Sequence, residues 1–248
     1  MPYLSRVRIN PLRKESRTLL ANPRAMHSNV CAAVPATPDT ERSLWRLDTD
    51  NDHRPYLVAL TASKPDWTHL VEAAGWPAAD EDHYTVADYS PLLAQLAVGR
   101  EFNFRLTANP VQNTSRPIKQ TDVQKKQLAQ GTRRSFRIGH RTAEAQLAWL
   151  LARATKHGFE ILPARTDPGL PDLPLEDSTP APDVRILNRD RLSFSKKSHK
   201  PVVLHTVTFQ GHMRVTDTEL LSRALLQGIG PAKAYGCGLL TLAPRGGH

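Results

Sequence analysis

Cysteine and long apolar runs are both scarce in this sequence. Its 248 residues include two cysteines, Cys31 and Cys237, too few for a disulfide framework or for a metal site built from cysteine. No stretch reaches the roughly 18 apolar residues of a membrane-spanning helix. The first residues alternate like a strand and lack the apolar core of a signal peptide. We therefore expect a cytoplasmic protein with no membrane partner.

Several catalytic motifs are also missing. The chain has no HExxH zinc motif, no GxSxG nucleophile elbow and no phosphate-binding Walker loop. The stretch Asp48–Asp52 resembles the start of a calcium loop but lacks the glycine and the terminal glutamate at the required spacing. The acidic run 80–83 is typical of an exposed loop. We expect neither a metal ion nor a cofactor.

Positive charge is concentrated in the second half of the chain. Residues 1–115 carry 12 Lys and Arg against 13 Asp and Glu, whereas residues 116–248 carry 21 against 11. The excess in one half indicates a surface for a polyanion, of which nucleic acid is the leading candidate. An anionic membrane is a weaker one, because the sequence has no basic amphipathic helix.

The order of predicted elements indicates an α+β protein with two ferredoxin-like (RRM-like) β-α-β-β-α-β domains in tandem. In the first domain, 1–112, we predict strands at 3–9, 44–48, 56–61 and 101–107. Helices are predicted at 12–20, at 24–33 behind the Asn22-Pro23 cap, and from Asp66 to near Gly75.

A basic linker or flexible loop is predicted at 113–135, followed by a second domain at 136–248. Its first strand is expected at 136–138, because no clearer strand precedes the helix capped by Thr142. Strands are predicted at 159–162, 184–194, 202–211 and 239–242. A capping box that begins at Thr216 starts the second helix, which runs to Gln227.

Two basic segments have the composition of an RNA-binding surface. The hairpin formed by the strands at 184–194 and 202–211 and the turn between them carries six basic residues, opposed by Asp190 alone: Arg185, Arg189, Arg191, Lys196, Lys197 and Lys200. Such charges could follow a phosphate backbone or enter a wide groove at the end of an RNA stem. The alternative is a solvated hairpin. Near the linker, Arg133, Arg134 and Arg137 alternate with Phe136, which suits stacking on unpaired bases.

A glycine-rich loop lies between the last helix and the last strand. The run GIGPAKAYGCG, at 228–238, places Lys233 among four glycines. Glycine at this density lets a backbone approach a bulky partner closely, although a helix stop followed by a tight turn gives the same composition. We expect Lys233 and the loop amides to contact a phosphate.

Histidine is the side chain best suited to exchange protons near neutral pH. RNA can be cut without a metal ion when a base activates the 2′-hydroxyl and an acid protonates the leaving 5′-oxygen. Of the ten histidines, His27 stands on a short helix behind a proline, with Arg24 one turn earlier on the same face. By spacing alone, His27 is better described as an ordinary half-buried helix residue than as a catalytic one.

Three segments together resemble the CasE-type CRISPR RNA endoribonucleases of type I-E Cascade: 3–7 (YLSRV), 104–110 (FRLTANP) and 228–244 (GIGPAKAYGCGLLTLAP). The resemblance covers nearly the whole chain and implies tandem ferredoxin-like domains. It also implies metal-independent cleavage of precursor CRISPR RNA at the base of the repeat stem-loop. The products would be a 5′-hydroxyl and a 2′,3′-cyclic phosphate or 3′-phosphate. The processed RNA would stay bound, with other Cascade subunits as partners.

The resemblance places the family's catalytic histidine at His27. The family has a tyrosine one helical turn earlier, where this chain has Arg24. Arg24 could stabilise the phosphorane, or it could bind substrate while another group supplies the second proton transfer. The family's basic hairpin corresponds to 189–200. A non-catalytic RNA-binding or scaffold subunit, and an unrelated RRM-like protein acting on other RNA, are the alternatives.

Overall fold

A computed structural model describes residues 1–35, 41–79, 82–115, 122–131, 135–164, 180–195 and 202–245. None of the helices in these ranges is long and apolar enough to cross a membrane. The strands are β1 Tyr3–Arg8, β2 Leu44–Asp48, β3 Tyr56–Thr61, β4 Tyr84–Asp88, β5 Glu101–Ala108, β6 Val111–Thr114, β7 Phe136–Gly139, β8 Phe159–Ile161, β9 Val184–Phe194, β10 Val202–Val215 and β11 Leu240–Pro244. The helices are α1 Lys14–Ala21, α2 Pro23–Ala32, α3 Thr68–Ala74, α4 Ser90–Ala94, α5 Asp122–Ala129, α6 Ala143–Lys156 and α7 Thr218–Gln227, with a 3₁₀ turn at Lys233–Tyr235.

The first sheet has the strand order β2-β3-β1-β4, and all its pairs are antiparallel. This is the order that a β-α-β-β-α-β chain produces when each helix crosses one face of the sheet. Its core joins Val7 and Leu57 of the sheet to Met26 of α2 and Leu70 of α3, all without solvent exposure. The ferredoxin-like prediction is confirmed for this unit.

The second sheet repeats the pattern with the order β11-β5-β10-β8, while β9 extends it by pairing with β10. The core includes Phe104, Phe159 and Phe209, each no more than 2% exposed. Its first strand is β5, which pairs with β10 and β11. The prediction that assigned 101–107 to the first domain was therefore wrong, and a boundary at 112 separates this sheet from its own first strand.

The fourth strand of the first sheet is β4, a segment for which no strand was predicted. It pairs with β1 along the edge of the sheet, and none of its residues is buried. Because an edge strand buries little surface, β4 has a weak hydrophobic pattern. The strongly alternating β5 therefore took its place in the prediction. Strict alternation shows that a strand has one buried face, but it does not show which sheet that strand joins.

The predicted linker at 113–135 also contains regular structure. The end of β6 and the helix α5 lie within it, and α5 has an i,i+3 ion pair between Asp122 and Lys125 at 3.6 Å. Its composition of Lys, Gln and Ala favours a helix. The segment 136–138, predicted as the first strand of the second sheet, belongs instead to β7, which pairs with β6 in a separate hairpin.

Helix caps follow the sequence closely. Asn22 accepts hydrogen bonds from the amides of Arg24 and Ala25, and Thr142 accepts one from Ala145. For α7 the cap is Asp217, which accepts from the Leu220 amide at 2.9 Å, rather than the predicted Thr216. An aspartate one position later satisfies the same free amide as a capping-box threonine would.

A buried arginine joins the two units. The side chain of Arg46 in β2 is 4% exposed and binds both carboxylate oxygens of Asp48, at 2.6 and 3.0 Å. It also donates to the carbonyls of Arg105 and Leu239 and to the Thr241 hydroxyl. These three acceptors lie in or beside the second sheet. Arg46 therefore fixes the position of β2 relative to β5 and β11.

Candidate functional site

The fold brings the helix of His27 and the glycine-rich loop together around one cavity. Its volume is about 410 Å³, and His27, Cys31, Arg42, Ser43 and Lys233 are among its lining residues. The two chemically distinctive side chains, His27 and Lys233, come from different ferredoxin-like units. The cavity therefore exists only when both units are folded and docked.

Glycines hold the loop in place because side chains would not fit. Gly236 has a φ of +79°, and a Cβ added there would lie 2.9 Å from the ring of Trp45 in β2. Gly228 has a φ of +76°, and its Cβ would lie 2.9 Å from Leu44. Non-glycine residues rarely adopt such a backbone. The close approach predicted for this loop therefore occurs against the first unit of the protein itself, and it presents Lys233 to α2.

His27 lies at the edge of a well-anchored helix. Pro23 stands at the first helical position, and Met26 and Val30 on the same helix have no solvent exposure. The imidazole is half-buried, and this burial lowers the pKa of His27 below its ordinary value of about 6.5. A neutral imidazole at pH 7 can accept a proton.

The thiol of Cys31 lies one helical turn from His27. Its sulfur is 3.8 Å from Nδ1 and 3.7 Å from Nε2, so it faces the ring between the two nitrogens. Burial raises the pKa of the Cys31 thiol and keeps it protonated. Within the described ranges the ring nitrogens make no other hydrogen bond.

Two cations face the same cavity. Burial lowers the pKa of Lys233, and the nearby positive charge of Arg42 lowers it further. The ammonium is thus a stronger acid than an ordinary lysine, and the pair forms a positive site for a phosphate. Glu41 also lines the cavity, but its carboxylate is occupied by the amides of Ala62 and Ser63 and by the Ser63 hydroxyl. Its role is to hold this turn.

Arg24, the predicted partner of His27, does not line this cavity. It is half-buried on α2, and its carbonyl accepts a hydrogen bond from Ser28. Arg42 was not predicted as a site residue. No local spacing links it to His27, because the link is made by the packing of β2 and α2 in one domain. The packing of the glycine-rich loop on the first unit places Lys233 beside His27, where the sequence had suggested only a contact with the RNA backbone.

The predicted RNA-binding residues divide between two further cavities and the undescribed segments. Arg137 lines a groove of about 760 Å³ between the β6–β7 hairpin and α6. Arg189 and Arg191 line a third cavity, of about 670 Å³, at the base of the β9–β10 hairpin. Arg133, Arg134, Lys196, Lys197 and Lys200 lie outside the described residues.

The three cavities share residues and form one track. His140 lines both the hairpin cavity and the groove, while Gly230 and Pro231 line both the groove and the His27 cavity. The track runs from the basic hairpin to His27 and passes six exposed or half-buried arginines: Arg42, Arg137, Arg141, Arg153, Arg189 and Arg191. A chain of phosphates is the ligand that this charge pattern suits. Among the residues in the described ranges, no group of three or more His, Cys, Asp or Glu is placed to hold a metal ion.

Comparison with known proteins identifies the family of this chain. The family model described as "CRISPR associated protein" matches residues 2–244. The chain is 30% identical to the CRISPR-associated endoribonuclease Cse3 of Thermus thermophilus, over 98% of this chain and 100% of that one. It is 28% identical to the CRISPR system Cascade subunit CasE of Escherichia coli, over 98% and 99% of the two chains.

A solved structure of Thermus thermophilus Cse3 bound to an RNA representing a pre-cleavage complex superimposes with a TM-score of 0.71. The sequence identity in that comparison is 27%, and it covers 98% of this chain and 99% of the other. The likeness spans both ferredoxin-like units and the track between them. The chain therefore belongs to the CRISPR-associated protein family, and within it to the CasE type.

Proposed function

We propose that this protein is a metal-independent endoribonuclease that cuts precursor CRISPR RNA at the base of the repeat stem-loop. The observation that carries the proposal is the cavity in which His27, Lys233 and Arg42 face one another at the end of a basic track. A proton acceptor beside two cations is the equipment needed for attack by a ribose hydroxyl on its neighbouring phosphate.

The step begins when His27 accepts the proton of the 2′-hydroxyl. The 2′-oxygen then attacks the adjacent phosphorus and forms the new P–O bond. The bond from phosphorus to the 5′-oxygen breaks, and that oxygen takes a proton. The products are a 2′,3′-cyclic phosphate and a 5′-hydroxyl. The lowered pKa of His27 favours the base role, because the ring is already neutral at pH 7.

Lys233 supplies the second proton in this scheme. Its ammonium stabilises the charge that develops on the phosphorane, and its lowered pKa makes it the better proton donor of the two cations. Arg42 contributes charge alone, because a guanidinium does not act as a proton donor in proteins. Arg24, outside the cavity, has the role of binding the RNA on the exposed side of α2.

The rest of the track holds the RNA. Arg189, Arg191 and Arg137 lie along it. Lys196, Lys197 and Lys200 remain RNA-binding candidates on sequence composition alone. Contacts to phosphate fix position without reading sequence, so this surface sets register and affinity. The processed RNA remains bound, and the protein then acts as a subunit of Cascade, as the name of the Escherichia coli relative states for that protein. The two free thiols suit the reducing cytoplasm, where we place the reaction.

The test is cleavage of a repeat hairpin RNA in the presence of EDTA. Wild type should give one discrete cut, and His27→Ala should cut about 10²–10⁴-fold more slowly while binding the RNA with nearly unchanged affinity. His53→Ala, at an exposed turn away from the three cavities, is the matched control and should cut normally. A wild-type protein that shifts the RNA on a gel but leaves it intact would support a binding subunit instead.

A further inference from the structure

A buried glutamine at the base of the basic hairpin has an acceptor without a partner. Gln146, in the first turn of α6, is 3% exposed, and its Nε2 donates to the carbonyl of His140 at 2.9 Å. Its Oε1 accepts no hydrogen bond from any described residue. The side chain lines the hairpin cavity of about 670 Å³. A buried acceptor left without a donor is costly, so the cavity suits a ligand that brings an N–H or O–H group.

The rest of this cavity is basic. The register of β9 and β10 pairs Arg191 with His205 and Arg189 with Val207, so both arginines lie on one face of the hairpin. Arg141 stands on the opposite wall, and its carbonyl accepts a hydrogen bond from the guanidinium of Arg189. Asp190 is the opposing acid, and burial raises its pKa. An anion is therefore attracted to the rim of the cavity.

A nucleotide combines both requirements, and a backbone phosphodiester group alone does not. The phosphate can pair with the guanidinium groups at the rim, while a base N–H or the ribose 2′-hydroxyl donates to Gln146 Oε1. A phosphodiester group alone offers only acceptors to that oxygen. The volume lies within the range of small-ligand pockets, roughly 300–1,000 Å³. Because His140 joins this cavity to the groove that leads to His27, one RNA strand can occupy both.

We propose that the hairpin cavity binds one unpaired nucleotide of the same RNA whose phosphate enters the His27 cavity. The inference rests on the proposed function for the identity of the RNA. It adds a specificity site: the nucleotide is held by a hydrogen bond to Gln146 and by charge from Arg141, Arg189 and Arg191, away from the reacting atoms.

The experiment measures binding of a repeat hairpin RNA that carries its unpaired flanks and a 2′-deoxy substitution at the scissile nucleotide. This RNA cannot be cut by 2′-hydroxyl attack, so the readout does not depend on catalysis. Each unpaired nucleotide is replaced in turn by an abasic ribose and, separately, by its 2′-deoxy form. In wild type, we expect replacement at one nucleotide position to weaken RNA binding by about 10–100-fold. The abasic and deoxy arms distinguish a base donor from the ribose hydroxyl.

Two variants identify the cavity. Val203→Trp places a large ring at a residue that is 41% exposed and lines the cavity mouth. This variant should weaken binding of the parent RNA by a similar factor. In this variant, the abasic or 2′-deoxy substitution that weakens binding to wild type should cause no further loss. Gln146→Leu should do the same with a smaller loss. Leu226→Trp, at a residue 38% exposed on α7, is the matched control.

The coupling between variant and nucleotide decides the result. If Val203→Trp keeps the full wild-type sensitivity at every position, the nucleotide lies elsewhere and the proposal is wrong. If no abasic or deoxy substitution matters in wild type while Arg141→Ala still weakens binding, the cavity holds backbone phosphate only, which also overturns it. A protein that shows the coupling yet never cuts unmodified RNA would overturn the proposed function and leave this site standing.

Discussion

Replacing Lys233 by arginine separates the two contributions that we assign to this residue. Arginine keeps the positive charge in the His27 cavity but does not release a proton, because its pKa exceeds about 12. If Lys233 only stabilises the phosphorane, Lys233→Arg should cut nearly as fast as wild type. If it protonates the 5′-oxygen, the variant should cut about 10²–10⁴-fold more slowly, or about 3–5 kcal/mol in activation free energy. We expect the second result, because burial and Arg42 both make this ammonium more acidic.

A substrate with sulfur in place of the 5′-oxygen provides the decisive comparison. A thiolate leaves without protonation, because a thiol, with a pKa near 8.5, is a far stronger acid than an alcohol. Single-turnover cleavage of this RNA in EDTA should therefore be equally fast for wild type and Lys233→Arg. Lys233→Ala should be rescued only in part, because it also removes the charge. If the sulfur substrate is cut as slowly by Lys233→Arg as the natural one, with binding unchanged, the acid role is refuted.

Three further predictions concern packing, the joint between the units and pH. Gly236→Ala should lower the free energy of unfolding by about 2–4 kcal/mol, from left-handed strain plus overpacking on a ring. Gly99 has a φ of +83° and open space around it, so Gly99→Ala should lower the free energy of unfolding by about 1–2 kcal/mol. If urea titrations show equal losses for the two variants, the packing argument is contradicted. Arg46→Met should cost about 1–3 kcal/mol because it leaves the buried carbonyl of Leu239 and the other acceptors of Arg46 without their donor, whereas the half-exposed Arg214→Ala should cost less. Because burial lowers the pKa of His27 in the folded protein, His27 binds a proton more readily in the unfolded chain. The neutral His27 side chain therefore contributes to stability above about pH 6.5, and this contribution is lost as the pH falls below that value. When urea midpoints are plotted against pH, His27→Ala should show a shallower slope than wild type in that acid range. The same lowered pKa should place the midpoint of the acid limb, in a plot of cleavage rate against pH, below about pH 6.5. A midpoint above that pH would contradict the role of His27 as the base.

Local signals in the sequence located most of the helices and strands. The Asn22-Pro23 start of α2, the Thr142 cap of α6 and the glycine that ends α6 are determined within a few residues, so they could be read directly. The edge strand β4 and the assignment of β5 could not be, because both depend on which distant strand is the hydrogen-bonding partner. A weak edge strand was missed, and a strong strand was placed in the wrong sheet.

The candidate site divides in the same way. His27 and the Lys233 loop were both identifiable, one from the chemistry of histidine on a capped helix and the other from glycine density. Their meeting could not be foreseen from spacing, because it requires the loop of the second unit to pack on Trp45 and Leu44 of the first. Arg42 shows the limit clearly: it lines the same cavity as His27 only through the tertiary packing of the first unit, which no local spacing reveals.

The sequence by itself determined the α+β class, the uneven charge and the residues able to do proton chemistry. These depend on residue types and short-range periodicity, which survive without knowledge of long-range contacts. The tertiary structure alone decided which strands share a sheet, which cations face His27 and which acceptor, Gln146 Oε1, points into a cavity. The physical reason is that hydrogen bonding between strands and burial of side chains are set by partners far away in the chain, and folding selects those partners by the total surface that they bury together.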